Sequence, residues 1–359
     1  MGGGSNVVVV PSVQELAKET MSHVPSRYIR TDIEDPPCKV TDSPLPEFPV
    51  IDMEKLSSAS MNDSELERLN QVCHEWGFFQ LINHGVPYEL METVQKELQD
   101  FFNLPMEKKD KYRQPPGEIE GYGQLFIKSE EQKLDWGDML YMATLPAHLR
   151  KPYLIPKFPP AFREALDDYT VKLRGLALRL LECMAKALRI DYNDMRVLFE
   201  EGKQEMRMSY YPPCPQPDQV MGLTAHSDAV GITILYQTNE VAGLQVKKDG
   251  RWVLVEPLPK AFIVNIGDIL EIVTNGRYRS IEHRVIVNSE KERLSLATFY
   301  SPNSDGEMGP APSLISPQNP ALFKTVAVNE YYKDYFSREL DGKSHLDHMR
   351  IQADETQVA

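Results

Sequence analysis

The chain has 359 residues, 42% hydrophobic and 26% charged, enough for one large or two ordinary globular domains with a sizeable core. Its 53 acidic residues outweigh 39 basic ones, giving a net charge of −14 with no basic block, which argues against nucleic acid or an anionic membrane as a partner. The four cysteines (Cys38, Cys73, Cys183 and Cys214) form no CxxC pair and no disulfide framework, and read as reduced thiols of a cytosolic protein.

The opening MGGGSNVVVV lacks a basic stretch ahead of its short apolar run, so no secretory signal is expected. Asn6 stands where N-myristoylation wants Ser or Thr. No apolar run approaches the ~18 residues of a membrane span. The expectation is a soluble cytoplasmic monomer with a small-molecule substrate.

Residues 1–47 are rich in Pro, Asp and Ser around one amphipathic piece, PSVQELAKET, and are expected to form a partly ordered N-terminal arm. FPVIDM (Phe48–Met53) predicts a short strand. Asp63–Trp76 has helical period and opens on the capping sequence NDSE. GFFQLINHGV predicts a buried strand ending in an Asn-His-Gly turn, and Val86–Leu104 returns to helical period. The longest predicted helix runs from about Ala161 to Leu188, where Leu166, Tyr169, Leu173, Leu176, Leu180, Met184 and Ala187 mark one core-facing stripe.

After Glu205 the texture changes to short β-rich runs: MRMSYYP, GLTAHSD, ITILYQ, GLQVKKDGRWVLVEP, AFIVNIGDILEIV, SIEHRVIVN and RLSLATFYSP. Asp249-Gly250 and Asn275-Gly276 are among the turns between them. Many short strands without intervening helices predict an antiparallel sandwich or barrel. YYKDYFSRELDGKSHLDHM is helical again. The expected organisation is mixed α+β: the arm (1–47), a mostly helical region (48–200), a β core (201–310) and a C-terminal helical segment and tail (311–359). The boundary near residue 200 need not separate independent folding units.

The run GLTAHSDAVGITIL places two polar residues in an apolar strand pattern. Residues i and i+2 of a strand share a face, so His226 and Asp228 can converge while Ser227 points away. His283, on another predicted strand, supplies a second imidazole. Two histidines and a carboxylate on a β scaffold form the facial arrangement suited to Fe(II), with open positions for exogenous ligands. Taken alone, the HxD pair is better explained by a turn and its cap, and His283 alone by a structural histidine. Downstream, alternation puts Arg293, Ser295, Ala297 and Phe299 on one face, with Leu294 and Leu296 on the other. If the leucines meet the helices, Arg293 and Ser295 face the barrel interior, where a guanidinium beside a hydroxyl can grip a carboxylate. A surface pair of Arg293 with Glu290 or Glu292 is the alternative.

The pattern His226-x-Asp228, His283, Arg293-x-Ser295 resembles the plant soluble 2-oxoglutarate/Fe(II)-dependent dioxygenases. The likeness extends from about residue 10 to 351 through PVIDM, WGFFQLINHGV, FFNLPMEKK, EGYGQ, LDWGDM, YYPPCPQPD, NIGDILEIVTNG and YRSIEHRVIVNSEKERLS. It is strongest to the group of senescence-related-gene-type proteins and thebaine and codeine O-demethylases. The resemblance implies a double-stranded β-helix (jelly roll) core with supporting helices, including one long helix. It implies Fe(II) on His226, Asp228 and His283, and the distal carboxylate of 2-oxoglutarate on Arg293 and Ser295 with Tyr211 adding a hydrogen bond. O2 is the second cosubstrate and ascorbate a supporting reductant. Relatives often have Asn where Ser209 stands, which removes an Asn-type contact to the cosubstrate.

The implied reaction is hydroxylation or O-demethylation of a small plant specialised metabolite (alkaloid, flavonoid, coumarin or hormone), releasing succinate and CO2. Asp228 occupies the position that related halogenases leave to a halide. Phe299 is a substrate-pocket residue by its inward register, and Tyr122, Phe126 and Trp136 lie where relatives build the pocket mouth. His84 is read as a structural turn residue, Cys214 as a packed small residue, and His345 with His348 as a solvated helix face. Two other readings stay open: an oxidase using ascorbate in the manner of 1-aminocyclopropane-1-carboxylate oxidase, and a catalytically silent binding protein. Loss of a metal-ligand position would mark the latter, and all three are present.

Overall fold

The computed structural model describes residues 10–352 apart from 20, 22, 32–46, 59–61, 125, 126, 128 and 338–341. The strands that build its two main sheets are, in chain order, β1 (Val50–Asp52), β2 (Phe78–Ile82), β3 (Gly121–Gly123), β4 (Asp138–Leu145), β5 (Lys203–Tyr211), β6 (Leu223–His226), β7 (Ile232–Gln237), β8 (Leu244–Lys248), β9 (Arg251–Leu254), β10 (Phe262–Ile266), β11 (His283–Val285) and β12 (Arg293–Ser301). The large sheet has the order β1-β2-β10-β7-β12-β5-β4-β3 and the small one β6-β11-β8-β9. From β5 onward the chain passes back and forth between the two sheets, which is the winding of a double-stranded β-helix, or jelly roll.

Strand alternation explains what each face buries. Met206 and Met208 of β5 and Leu294 and Leu296 of β12 join the same apolar cluster as Leu166, Tyr169, Leu173, Leu176, Leu180 and Met184 of the Pro160–Leu188 helix. The helix begins with Pro160 in its first turn, where the missing N–H costs nothing. Each fully buried leucine at this seam contributes about 1.5–3 kcal/mol. The outer face of the large sheet is therefore closed by the long helix, and the opposite residues of β5 and β12 are left to line the interior.

The N-terminal half contributes strands as well as helices. β2 pairs with β10, and β4 pairs with β5 along nearly its whole length, so the region before residue 200 extends the large sheet at both edges. Sequence reading passed over β4 because seven of its eight residues are buried, which leaves no alternation to detect. The run AFIVNIGDILEIV, expected as a strand, is instead β10 followed by the Asp268–Val273 helix. All six residues of that helix are buried, so it carries no amphipathic period. Gly267 makes the change of direction possible: a Cβ there would sit 2.1 Å from the Val230 carbonyl oxygen.

The arm is tied down where it is described. Ser12 Oγ and the backbone N–H groups of Val13 and Gln14 donate to the carboxylate of Asp138 at 2.6–3.0 Å. The C-terminal segment forms the Val328–Ser337 and Ser344–His348 helices. Among the described residues no helix is long and apolar enough to cross a membrane.

Candidate active site

β6 ends at His226 and β11 begins at His283, and the two residues are direct partners in the small sheet. Each ring is oriented by a backbone carbonyl that accepts from Nδ1: Thr224 O for His226 at 2.8 Å and Ile281 O for His283 at 3.2 Å. That tautomer leaves both Nε2 lone pairs free. The rings lie 4.3 Å apart by centroid. Asp228 has left the strand for the loop before β7, and its Oδ1 lies 3.4 Å from His226 Nε2 and 3.6 Å from His283 Nε2. Its other oxygen accepts from Thr233 Oγ1 at 2.6 Å and Asn265 Nδ2 at 2.9 Å. All three potential ligand atoms lie within 4.8 Å of one another, and all three side chains are buried.

Burial opposes ionisation of Asp228, but His283, His226 and the Asn265 donor together hold its carboxyl well below the usual carboxylate range. Burial, reinforced by His226, brings the His283 imidazole down to about 4, so it is neutral at physiological pH. Two imidazole lone pairs and a carboxylate oxygen thus point at one small volume, which a cation satisfies simultaneously. An N2O donor set of this kind suits Fe(II). Replacing Thr233 by Val removes one of the two donors that aim Asp228 while keeping the shape. Metal affinity is expected to fall about 10–100-fold, measured by Mn(II) or Fe(II) titration, with the melting temperature nearly unchanged.

On the neighbouring large sheet, Arg293 opposite Tyr211 and Ser295 opposite Ser209 are consecutive inward rungs of β12 and β5. Arg293 is only 2% exposed. Its Nε and Nη2 donate to Gln237 Oε1 at 3.2 and 2.9 Å, and Nη1 donates to Ser295 Oγ at 3.3 Å. Its guanidinium lies 5.4 Å from the centre of the Tyr211 ring. Among the described residues it pairs with no carboxylate. The surface alternative does not form, because Glu292 accepts from Tyr210 Oη and from Gln99 Nε2. Gln237 is itself fixed, its Nε2 donating to the Asn239 and Val241 carbonyls at 2.9 and 2.8 Å. One edge of the guanidinium is thus held by a neutral amide, and a buried cation without an anion remains costly. A carboxylate-bearing cosubstrate fits that want.

Gly243 makes room for this arginine. A Cβ there would lie 2.8 Å from Arg293 Cδ and 2.8 Å from the Ile286 carbonyl oxygen. Gly243→Ala is expected to destabilise the protein by about 1–3 kcal/mol through overpacking and to weaken binding of a carboxylate-bearing cosubstrate at Arg293, read by thermal melting and titration.

A partly open cavity lies beside His226 and Asp228, lined further by Tyr141, Arg207, Phe299, Tyr332, Tyr335 and Phe336. Phe299 thus lies on the cavity wall. Tyr122 and Trp136 are fully buried away from it. The Tyr122 hydroxyl donates to Asp138 at 3.1 Å, and the Trp136 indole donates to the Pro212 carbonyl at 3.2 Å and meets Tyr28 edge-on. Both belong to the packing that fixes the arm. Phe126 lies outside the described residues. Tyr141, Arg207, Tyr332 and Tyr335 were missed. Arg207 could have been found, since it shares the alternation of Ser209 and Tyr211; the C-terminal aromatics carry no such signal.

His84 is a turn residue, with Nδ1 accepting from Val86 N–H and Nε2 facing the Lys260 carbonyl. Cys214 is buried, and burial pushes its thiol up to about 11. His345 departs from the expected solvated face: it is buried against Tyr331 and Tyr335, because the Ser344–His348 helix docks on the Val328–Ser337 helix.

Two family models match the chain: the 2OG-Fe(II) oxygenase superfamily over residues 202–302, and the N-terminal region of non-haem dioxygenases in morphine synthesis over residues 48–161. The chain is 56% identical over 344 residues to oxoglutarate-dependent flavonoid 7-O-demethylase 1 of Ocimum basilicum, covering 96% of this chain and 91% of that protein. It is 51% identical over 352 residues to codeine O-demethylase of Papaver somniferum, covering 96% and 97%. The crystal structure of JOX2 in complex with 2OG, Fe and JA superposes with a TM-score of 0.86 at 38% identity, over 96% of this chain and 98% of that one.

Proposed function

The chain belongs to the 2OG-Fe(II) oxygenase superfamily, and from that premise we propose that it holds Fe(II) on His226, Asp228 and His283, anchors 2-oxoglutarate on Arg293, Ser295 and Tyr211, and O-demethylates or hydroxylates a small, planar aromatic metabolite of the flavonoid or alkaloid type. The observation that carries this reading is the convergence of three buried donor atoms within 4.8 Å, together with a buried arginine on the neighbouring sheet that pairs with no carboxylate among the described residues.

Bound Fe(II) with 2-oxoglutarate and O2 supplies the oxidising power, converting 2-oxoglutarate to succinate and CO2 while a substrate C–H is oxidised. The protein's part is placement. Thr233 and Asn265 fix the Asp228 carboxylate so that one oxygen remains for the metal. The Thr224 and Ile281 carbonyls fix both imidazoles in the tautomer that leaves Nε2 free. Arg293 and Ser295 set where the cosubstrate's distal carboxylate ends. The aromatic walls hold a flat molecule beside the metal and keep water from it. When the oxidised carbon is an O-methyl group, the resulting hemiacetal would break its O–CH2 bond, releasing formaldehyde and leaving the substrate oxygen as a free hydroxyl. In this reading the enzyme works as a cytoplasmic monomer without a nucleic-acid partner, and residues 201–310 form its catalytic core.

Anaerobic addition of Fe(II) and 2-oxoglutarate is expected to give a metal-to-ligand charge-transfer band. Admission of O2 with a panel of methoxylated flavones and alkaloids is then expected to release succinate in step with product. Well-folded protein that shows neither the band nor succinate would refute the assignment.

A further inference from the structure

β5 carries an inward ladder that continues past the cosubstrate anchor. On one side its rungs pair Tyr211 with Arg293, Ser209 with Ser295, Arg207 with Ala297 and Glu205 with Phe299. On the other side Met139 lies beside Ser209, Tyr141 beside Arg207 and Ala143 beside Glu205. The barrel interior therefore holds two arginines on one strand pair, separated by four residues along β5, or about 13 Å at ~3.3 Å per residue. Arg293 sits at the anchor end. Arg207 sits at the other, on the wall of the cavity next to His226 and Asp228.

The two charged residues of that cavity wall outside the metal cluster are not equivalent. Glu205 is neutralised by Lys203, whose Nζ lies 2.6 Å from it, and is hydrogen-bonded to the Tyr141 hydroxyl. Arg207 donates through Nε to Ser209 Oγ at 3.2 Å and forms no ion pair with a carboxylate among the described residues. The Arg207 charge also acts on Asp135 and on the cavity residue Tyr335, but of its five N–H donors only Nε has a hydrogen-bond acceptor among the described residues. Ala297, the smallest side chain among these rungs of β12, stands directly opposite it in the register. Around it stand aromatic rings: Tyr141 and Phe299 with centroids 6.5 Å apart, and Tyr332 and Phe336 stacked at 6.3 Å and 29°.

We propose that Arg207 is the specificity-determining residue of the substrate pocket: its guanidinium edge receives an anionic or carbonyl oxygen of a planar aromatic substrate and disfavours a protonated amine at the same place. The inference rests on the function assigned above and gives that pocket its polarity. Ser209 acts through Arg207, its hydroxyl fixing the guanidinium so that the open edge faces the cavity. A flat ring between aromatic walls with one oxygen on Arg207 has a single preferred orientation, which selects the carbon presented to the metal.

The test uses holoenzyme loaded anaerobically with Fe(II) and 2-oxoglutarate, and compares wild type, Arg207→Met and Arg207→Lys by equilibrium titration. The probes are a 7-methoxyflavone with free 5- and 4′-hydroxyls, its fully methylated counterpart, and codeine as the protonated amine. Arg207→Met is expected to weaken the hydroxylated flavone tenfold or more, with Arg207→Lys restoring most of the loss, while codeine binding is unchanged or improved. An equal loss for both flavones assigns the contact to the carbonyl; a loss confined to the first assigns it to a phenolic oxygen. Flavone binding indifferent to both substitutions, absent in wild type, or weaker there than codeine binding would overturn the proposal. The Fe(II)–2-oxoglutarate absorption forms without these probes and is recorded in each sample. Its absence from wild type counts against the assigned function, whereas an intact band with flavone binding indifferent to Arg207 defeats this inference alone.

Discussion

His226→Ala is expected to abolish Fe(II) binding and turnover while leaving the fold intact. His226 ends β6, and its Nδ1 contact is to the Thr224 carbonyl two residues away, so truncation breaks no long-range hydrogen bond and loses only the ring contact with His283. Nε2 faces Asp228 Oδ1 at 3.4 Å and shares that oxygen with His283. In the metal-free protein the substitution removes one of three mutually facing electron-pair donors, which costs little. With metal present it removes a third of the protein's ligand set. Losing a ligand outweighs losing an orienting group, which alone costs about 10–100-fold; kcat/KM should therefore drop by at least about 10³-fold. Succinate release and metal titration give the measurement, with far-UV circular dichroism and melting as the fold control. Retained turnover would mean that the metal sits elsewhere.

The same residues show why part of the molecule can be read from sequence. Alternation is a local property, so the inward set Arg293, Ser295 and Phe299 and the outward set Leu294 and Leu296 are legible without a structure. The long helix is legible because its buried stripe repeats over eight turns, and its observed span, Pro160–Leu188, differs from the expected one by a single residue at the start. Asp228 is a partial case. It was read as a strand neighbour of His226, yet it lies in the loop, and Thr233 and Asn265 rather than strand geometry turn it toward the histidines. The pairing of His226 with His283 is set by β-sheet register across 57 positions, which no local pattern encodes. The cavity wall was the least legible. Tyr141 comes from a strand without alternation, and Tyr332 and Tyr335 from a C-terminal helix brought over the barrel by tertiary packing.

Replacing Arg293 by Leu is expected to separate cosubstrate binding from stability. Truncating one partner of a buried, hydrogen-bonded charge pair costs about 2–5 kcal/mol, so the 2-oxoglutarate requirement should rise by roughly 30- to 4,000-fold. Stability should respond differently from a broken ion pair. No carboxylate faces Arg293 among the described residues, and burial already lowers its pKa from the usual guanidinium value. Removing a buried cation relieves a desolvation penalty of several kcal/mol. Against that, Gln237 Oε1 loses both of its donors from Arg293, and a buried unsatisfied carbonyl costs about 1–3 kcal/mol. The two nearly offset, so the cosubstrate-free protein should melt close to wild type. Arg293→Leu combined with Gln237→Leu removes the orphaned acceptor and is expected to melt above the single variant, while binding 2-oxoglutarate no better. If Arg293→Leu alone lowered stability by the 3–5 kcal/mol typical of breaking a buried ion pair, the arginine would have a structural anion that this arrangement does not show. If it left the 2-oxoglutarate requirement unchanged, the anchor would lie elsewhere.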